Sequence, residues 1–99
     1  MPVQHIALLQ FKSGTSDAVV QTLIQELKRL TQVIPGIIDF SIGTNNSPEG
    51  LASGLTHGFV MTFRDAAARD AYLPHPEHEK FTVLAVPLVE KIVVFDYTY

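Results

Sequence analysis

Residues 3–36, VQHIALLQFKSGTSDAVVQTLIQELKRLTQVIPG, carry a period of two followed by a period of 3.6, and that change decides the fold class. Val3 to Phe11 is aliphatic and β-branched with no internal Gly or Pro, and Ser13-Gly14-Thr15 closes it as a turn, so a strand is predicted. Val3, His5, Ala7, Leu9 and Phe11 share one face of it, while Gln4, Ile6, Leu8 and Gln10 share the other. Both faces carry apolar side chains, so both are expected to be covered. Ser16 is a good helix N-cap, Asp17 complements the first turn, and Val20, Leu23, Ile24, Leu27, Leu30 and Ile34 recur at helical spacing. Gln21, Gln25, Lys28, Arg29 and Gln32 occupy the opposite face, and Pro35-Gly36 ends the helix.

Working outward, Ile37 to Gly43 alternates with Ile38, Phe40 and Ile42 on one side, as a strand leaving the Pro-Gly turn would. The polar segment Thr44 to Leu55 reads as a loop, and Thr56 to Phe63 as a third strand with His57, Phe59, Met61 and Phe63 in one row. Asp65 caps a short helix, Ala66 to Leu73, which Pro74 terminates. Pro76 suits the first turn of another helix, predicted to carry Phe81 and Leu84 inward until Pro87 disturbs it. Ile92 to Tyr97 is the last predicted strand. The resulting order is that of a ferredoxin-like βαββαβ domain, an α+β fold with helices on one face of a four-stranded antiparallel sheet. Its other face, apolar and uncovered, is expected to pack on a second copy, giving a dimeric α/β barrel.

One domain over residues 1–99 is expected from the length, and so short a chain gains stability from association. The absence of Cys excludes disulfides and thiolate chemistry. A formal charge of −3 without any run of Lys or Arg lacks the footprint that holds a phosphate backbone, so no nucleic-acid partner is expected. No stretch has the length of a membrane span and no basic segment leads into a long apolar one, so a cytoplasmic protein without a membrane partner is expected.

Chemistry must then come from His, Tyr, Asp, Glu or Lys. The densest cluster is Tyr72-Leu-Pro-His75-Pro-Glu-His78, where prolines restrict the backbone and so aim two imidazoles and a phenol. His5 and His57 lie on strand rows with large apolar residues, where a hydrogen-bonded core position and a functional one are both open readings. Asp96, inside Ile92-Val-Val-Phe-Asp-Tyr97, is costly to bury alone. Either it orients an imidazole, fixing the tautomer, or it sits at a strand end in solvent or capping a turn. His75 and His78 are separated by the proline that opens a helix and lack a third ligand at recognised spacing, so no metal is expected. With no G-x-G-x-x-G, P-loop or G-x-S-x-G, no cofactor is expected either.

Taken together, V-x-H-I-A-L-L-Q-F-K at the start, Thr56-His57, Tyr72-x-x-His75-Pro-x-His78 and Phe95-Asp96-Tyr97-Thr98 resemble the stress-responsive A/B barrel domain family, Dabb, over nearly the whole chain. The resemblance implies a homodimer with an apolar pocket for a small, polyketide-like ligand. The family includes a plant polyketide cyclase and boiling-stable plant stress proteins, so two functions follow from it. One is a cofactor-independent cyclase of the aldol or enolate type; the other is a non-enzymatic stress-responsive or assembly protein. By resemblance to the cyclase, His78 would be the base and Tyr72 would stabilise the developing oxyanion, with His5 and Asp96 orienting the pair. Ala7, Leu9, Ile24, Leu27, Phe59, Phe81 and Ile92 would line the pocket, with His57 and His75 contacting the ligand. Leu27, Lys28, Phe59 and Val89 depart from the cyclase pattern, which implies a pocket of different shape.

Overall fold

The computed structural model describes residues 1–99. Its elements run β1 (Val3–Phe11), α1 (Asp17–Val33), β2 (Ile37–Thr44), β3 (His57–Phe63), α2 (Ala66–Tyr72), α3 (Pro76–Ala85), a 3₁₀ turn at Val86–Leu88, and β4 (Val89–Thr98). The four strands form one antiparallel sheet in the order β2-β3-β1-β4, the ferredoxin-like arrangement that the element order predicts.

Local chemistry places each boundary. Ser16 Oγ accepts from the Val19 amide at 3.2 Å and Asp65 Oδ1 from the Ala68 amide at 2.8 Å, so both helices start at the capping residues read from the sequence. Gly36 is required twice over. Its φ of +93° is left-handed, and a Cβ there would stand 2.6 Å from the Ala68 Cβ, so the turn into β2 also lets α2 approach.

Two expectations are corrected. Leu84 is 54% exposed rather than inward, because α3 carries apolar residues on more than one side and buries its Ala85 face instead. β4 begins at Val89, three residues before the predicted Ile92: Pro87 fits inside the 3₁₀ turn, and the chain re-enters the sheet at once through a register shift opposite Gln10 and Phe11.

Pairing lays the helix-facing side chains out in rungs. Phe40, Met61, His5 and Asp96 form one rung, Ile42, Phe59, Ala7 and Val94 the next, and Thr44, His57, Leu9 and Ile92 the third. The core is sealed around the first rung, where Val3, Leu30, Ile34, Met61, Phe63 and Tyr72 are all buried. Toward the third rung the helices no longer cover β4, and Ile92 is 55% exposed although it lies on the helix side. The opposite face presents Ile6, Leu8, Val60, Val93, Phe95 and Tyr97 with nothing packed on it, and Phe95 is 62% exposed. No helix is long and apolar enough to cross a membrane.

Candidate active site

Between β1, β3 and β4 below and α1 and α3 above lies a cavity of about 410 Å³, within the size range of small-molecule sites. It runs along β1 from His5 to Phe11, six residues and so roughly 20 Å at strand rise. Sixteen of its 22 lining residues are apolar, and Ala7, Leu9, Ile24, Leu27, Phe59, Phe81 and Ile92 are among them. Six are polar: His5 and His78 meet Tyr72 at the sealed end, while His57, Thr82, Glu90 and Lys91 lie elsewhere along the walls.

Tyr72 is the last residue of α2, 1% exposed, and its ring lies 4.3 Å from that of His78, centroid to centroid. Its hydroxyl has no hydrogen-bond partner within the chain, yet no sealed side-chain oxygen is left unpartnered, so the hydroxyl opens on the cavity it lines. Burial pushes the phenol well above its ordinary pKa, which keeps it protonated at neutral pH and makes it a donor. His78 stands in the first turn of α3, and its Nδ1 is 2.9 Å from the Leu73 carbonyl oxygen. A carbonyl only accepts, so Nδ1 carries the proton and Nε2 keeps its lone pair.

His5 is set by the sheet. Antiparallel pairing puts Asp96 directly across from it, and Nδ1 is hydrogen-bonded to Asp96 Oδ1 at 2.8 Å. Of the two readings of Asp96, the imidazole partner is the one present. Phe59, Phe63 and Tyr72 surround the His5 ring at centroid distances of 5.9, 6.0 and 6.1 Å. The other carboxylate oxygen, Oδ2, accepts from Arg69 Nη1 at 3.0 Å. Arg69 was missed from sequence; its one visible signal is its place three residues before Tyr72, one helical turn away on the same side of α2. Val94 lines the cavity too, and strand alternation from Ile92 to Asp96 points to it.

Two predicted contacts sit elsewhere. His75 is not a cavity wall: it is the N-cap of α3, its Nδ1 accepting from the Glu77 amide at 3.1 Å. Asp96 also stays behind the wall, reaching the cavity only through His5. His57 does line it, toward the open end, with Nδ1 at 2.8 Å from the Thr56 hydroxyl and its ring edge-on to Phe11. Nowhere do three His, Asp or Glu side chains converge as a metal-ion donor set.

Residues 3–99 match the family described as the Stress responsive A/B Barrel Domain. The chain is 34% identical over 96 residues to Stress-response A/B barrel domain-containing protein HS1 of Arabidopsis thaliana, spanning 97% of this chain and 88% of that protein. It is 29% identical over 98 residues to olivetolic acid cyclase of Cannabis sativa, spanning 99% and 97%. Among solved structures, hydroxynitrile lyase from Passiflora edulis superposes with a TM-score of 0.91 at 30% identity over 97% of this chain and 91% of that one. A dimeric ferredoxin-like protein from Jannaschia sp. superposes with a TM-score of 0.89 at 26% identity over the full length of both.

Proposed function

The chain belongs to the stress-responsive A/B barrel domain family, and on that premise we propose that it is a homodimer whose cavity takes a small, largely apolar β-keto ligand and catalyses an intramolecular aldol or related enolate reaction on it. The observation that carries this reading is the contact of Tyr72 and His78 on one cavity, a buried phenol that donates beside an imidazole with a free lone pair. A methylene flanked by two carbonyls is acidic enough for His78 Nε2 to take its proton. The negative charge then develops on a carbonyl oxygen, where the Tyr72 hydroxyl donates to it, and the carbanion attacks a second carbonyl of the same folded chain. Apolar walls favour such a folded chain and keep water from competing for the enolate. Similarity to olivetolic acid cyclase supports a cyclisation, and similarity to a hydroxynitrile lyase leaves the substrate open.

A test needs no knowledge of the natural substrate. Exchange of the methylene protons of a simple β-ketoacyl thioester in D₂O, followed by NMR, is expected to be faster with the protein than in buffer, and equally fast in the presence of a chelator. Equal rates with and without protein would sink the enzyme reading. Loss on chelation with recovery by one divalent ion would replace it with a metal mechanism.

The similarity to HS1 favours a second reading, a stress-responsive protein without turnover in which the same residues serve the core. The two separate on His78→Ala.

The dimer rests on the open sheet face and on the dimeric state described for the Jannaschia protein. Light scattering at micromolar concentration is expected to give twice the chain mass. Phe95→Glu places a charge on that face, in the edge strand β4, and is expected to weaken association by on the order of 100-fold or more, since an unpaired carboxylate would lose its water. The side chain is exposed in the single chain, so folding itself should survive. A monomeric wild type, or a Phe95→Glu variant that remains a dimer, would rule this interface out.

A further inference from the structure

Asp96 divides its two oxygens between different partners, Oδ1 to His5 Nδ1 at 2.8 Å and Oδ2 to Arg69 Nη1 at 3.0 Å. Only His5 of these three touches the cavity. The division matters because a carboxyl facing an imidazole has two arrangements. If it is protonated, it donates to Nδ1 and leaves an N–H on Nε2, pointing a donor outward; if it is charged, it accepts from Nδ1 and leaves Nε2 bare. A guanidinium only donates, so Arg69 on Oδ2 fixes that oxygen as an acceptor and places a full positive charge beside the carboxyl group.

We infer that Arg69 is a positioning residue for His5: by holding Asp96 as a charged acceptor it locks the imidazole with its proton on Nδ1 and its Nε2 lone pair open to the cavity. The meaning of this for catalysis rests on the reading given above. Once His78 has taken a proton it is no longer a base, and a second bare nitrogen beside the same phenol gives an enol or hydroxyl proton of the ligand somewhere to go. His5 then contacts the ligand, while Arg69 acts only through Asp96. Arg69 Nε is itself tied to Asp70 at 2.8 Å, which steadies the guanidinium from the solvent side.

Imidazole nitrogens report this directly in long-range ¹H–¹⁵N spectra of the labelled full chain at neutral pH, with His5 assigned by loss of its signals in His5→Asn. In the wild type, His5 is expected as a single tautomer protonated on Nδ1. Arg69→Met is expected to depopulate that form in favour of the other tautomer or the imidazolium, and Arg69→Lys to restore it. Arg69→Gln keeps a donor for Oδ2 but not the charge; it is expected to behave like Met, and decides the matter should the Met variant not fold. A wild-type His5 protonated on Nε2, or Met and Gln variants with an unchanged His5 spectrum, would overturn the inference. Thioester exchange separates it from the reaction proposed above. A tautomer that follows Arg69 in a protein without exchange activity leaves the positioning role standing and removes the enolate chemistry. Where exchange is present, Arg69→Gln is expected to slow it about tenfold, the lower end of what outer partners of a functional imidazole contribute.

Discussion

His78→Ala is expected to slow β-keto methylene exchange by roughly 100-fold to 10,000-fold, the usual cost of losing a general base. The stability cost should be small. The side chain is only half-buried and its one hydrogen bond within the chain, to the Leu73 carbonyl, is worth about 1 kcal/mol net. Tyr72→Phe is the companion variant: it removes a hydroxyl with no partner in the chain, so exchange should fall while the melting curve stays within a degree or two of wild type. A core-only role for these residues reverses the pattern. His78→Ala would then lower the melting temperature and leave the exchange rate per folded molecule, if any, unchanged. Exchange kinetics and calorimetry on the same samples therefore distinguish the enzyme from the stress protein.

Phe63→Ala carries the largest expected loss of stability, about 3–5 kcal/mol, set by the transfer free energy of a buried ring and by the void left behind. Phe63 is fully buried beneath the sealed rung, with the Tyr72 ring 5.1 Å and the His5 ring 6.0 Å away, and neighbours on both sides limit collapse into the gap. Such a loss is a large share of the roughly 5–15 kcal/mol that holds a domain of this kind together. Ile92→Ala is the contrast. Ile92 sits on the same side of the sheet but already faces open space, and its removal should cost under about 1 kcal/mol. Urea titrations at one fixed chain concentration measure both, since dimerisation makes apparent stability concentration-dependent. Equal losses for the two variants would contradict the partition between sealed and open rungs.

How legible the molecule is from its sequence depends on the range of the interaction. Ser16, Asp65, Gly36 and Pro76 act on the backbone within a few residues, and each marks the boundary it signals. Alternation in β1 and β3 and the 3.6 period of α1 are repeated often enough to survive noise, and with them the fold class. In α3 that repetition is missing. Phe81, Val83, Leu84 and Ala85 surround too much of the helix for periodicity to select the buried side, and Leu84 was assigned inward where Ala85 is. Pro87 looks like a break but sits comfortably in a 3₁₀ turn, which hid the first three residues of β4. At the site, the meeting of Asp96 with His5 depends on register between strands 91 residues apart in sequence, and that of Asp96 with Arg69 on how α2 lies over the sheet. Neither leaves a local pattern. His75 illustrates the converse, a residue of the chemical type wanted at a site whose lone pair is occupied by a helix terminus.

The hollowing of the layer toward Ile92 and Val94 has a consequence for how this protein can change. Residues that seal the first rung hold the chain together, while the exposed Ile92 and Val94 contribute little to folding and yet face the space a ligand would fill. Shape can drift at Ile92 and Val94 under selection for a new ligand, with the fold and the His5–Tyr72–His78 end untouched. On the function proposed above, chemistry and recognition sit at opposite ends of one groove, free to be inherited separately.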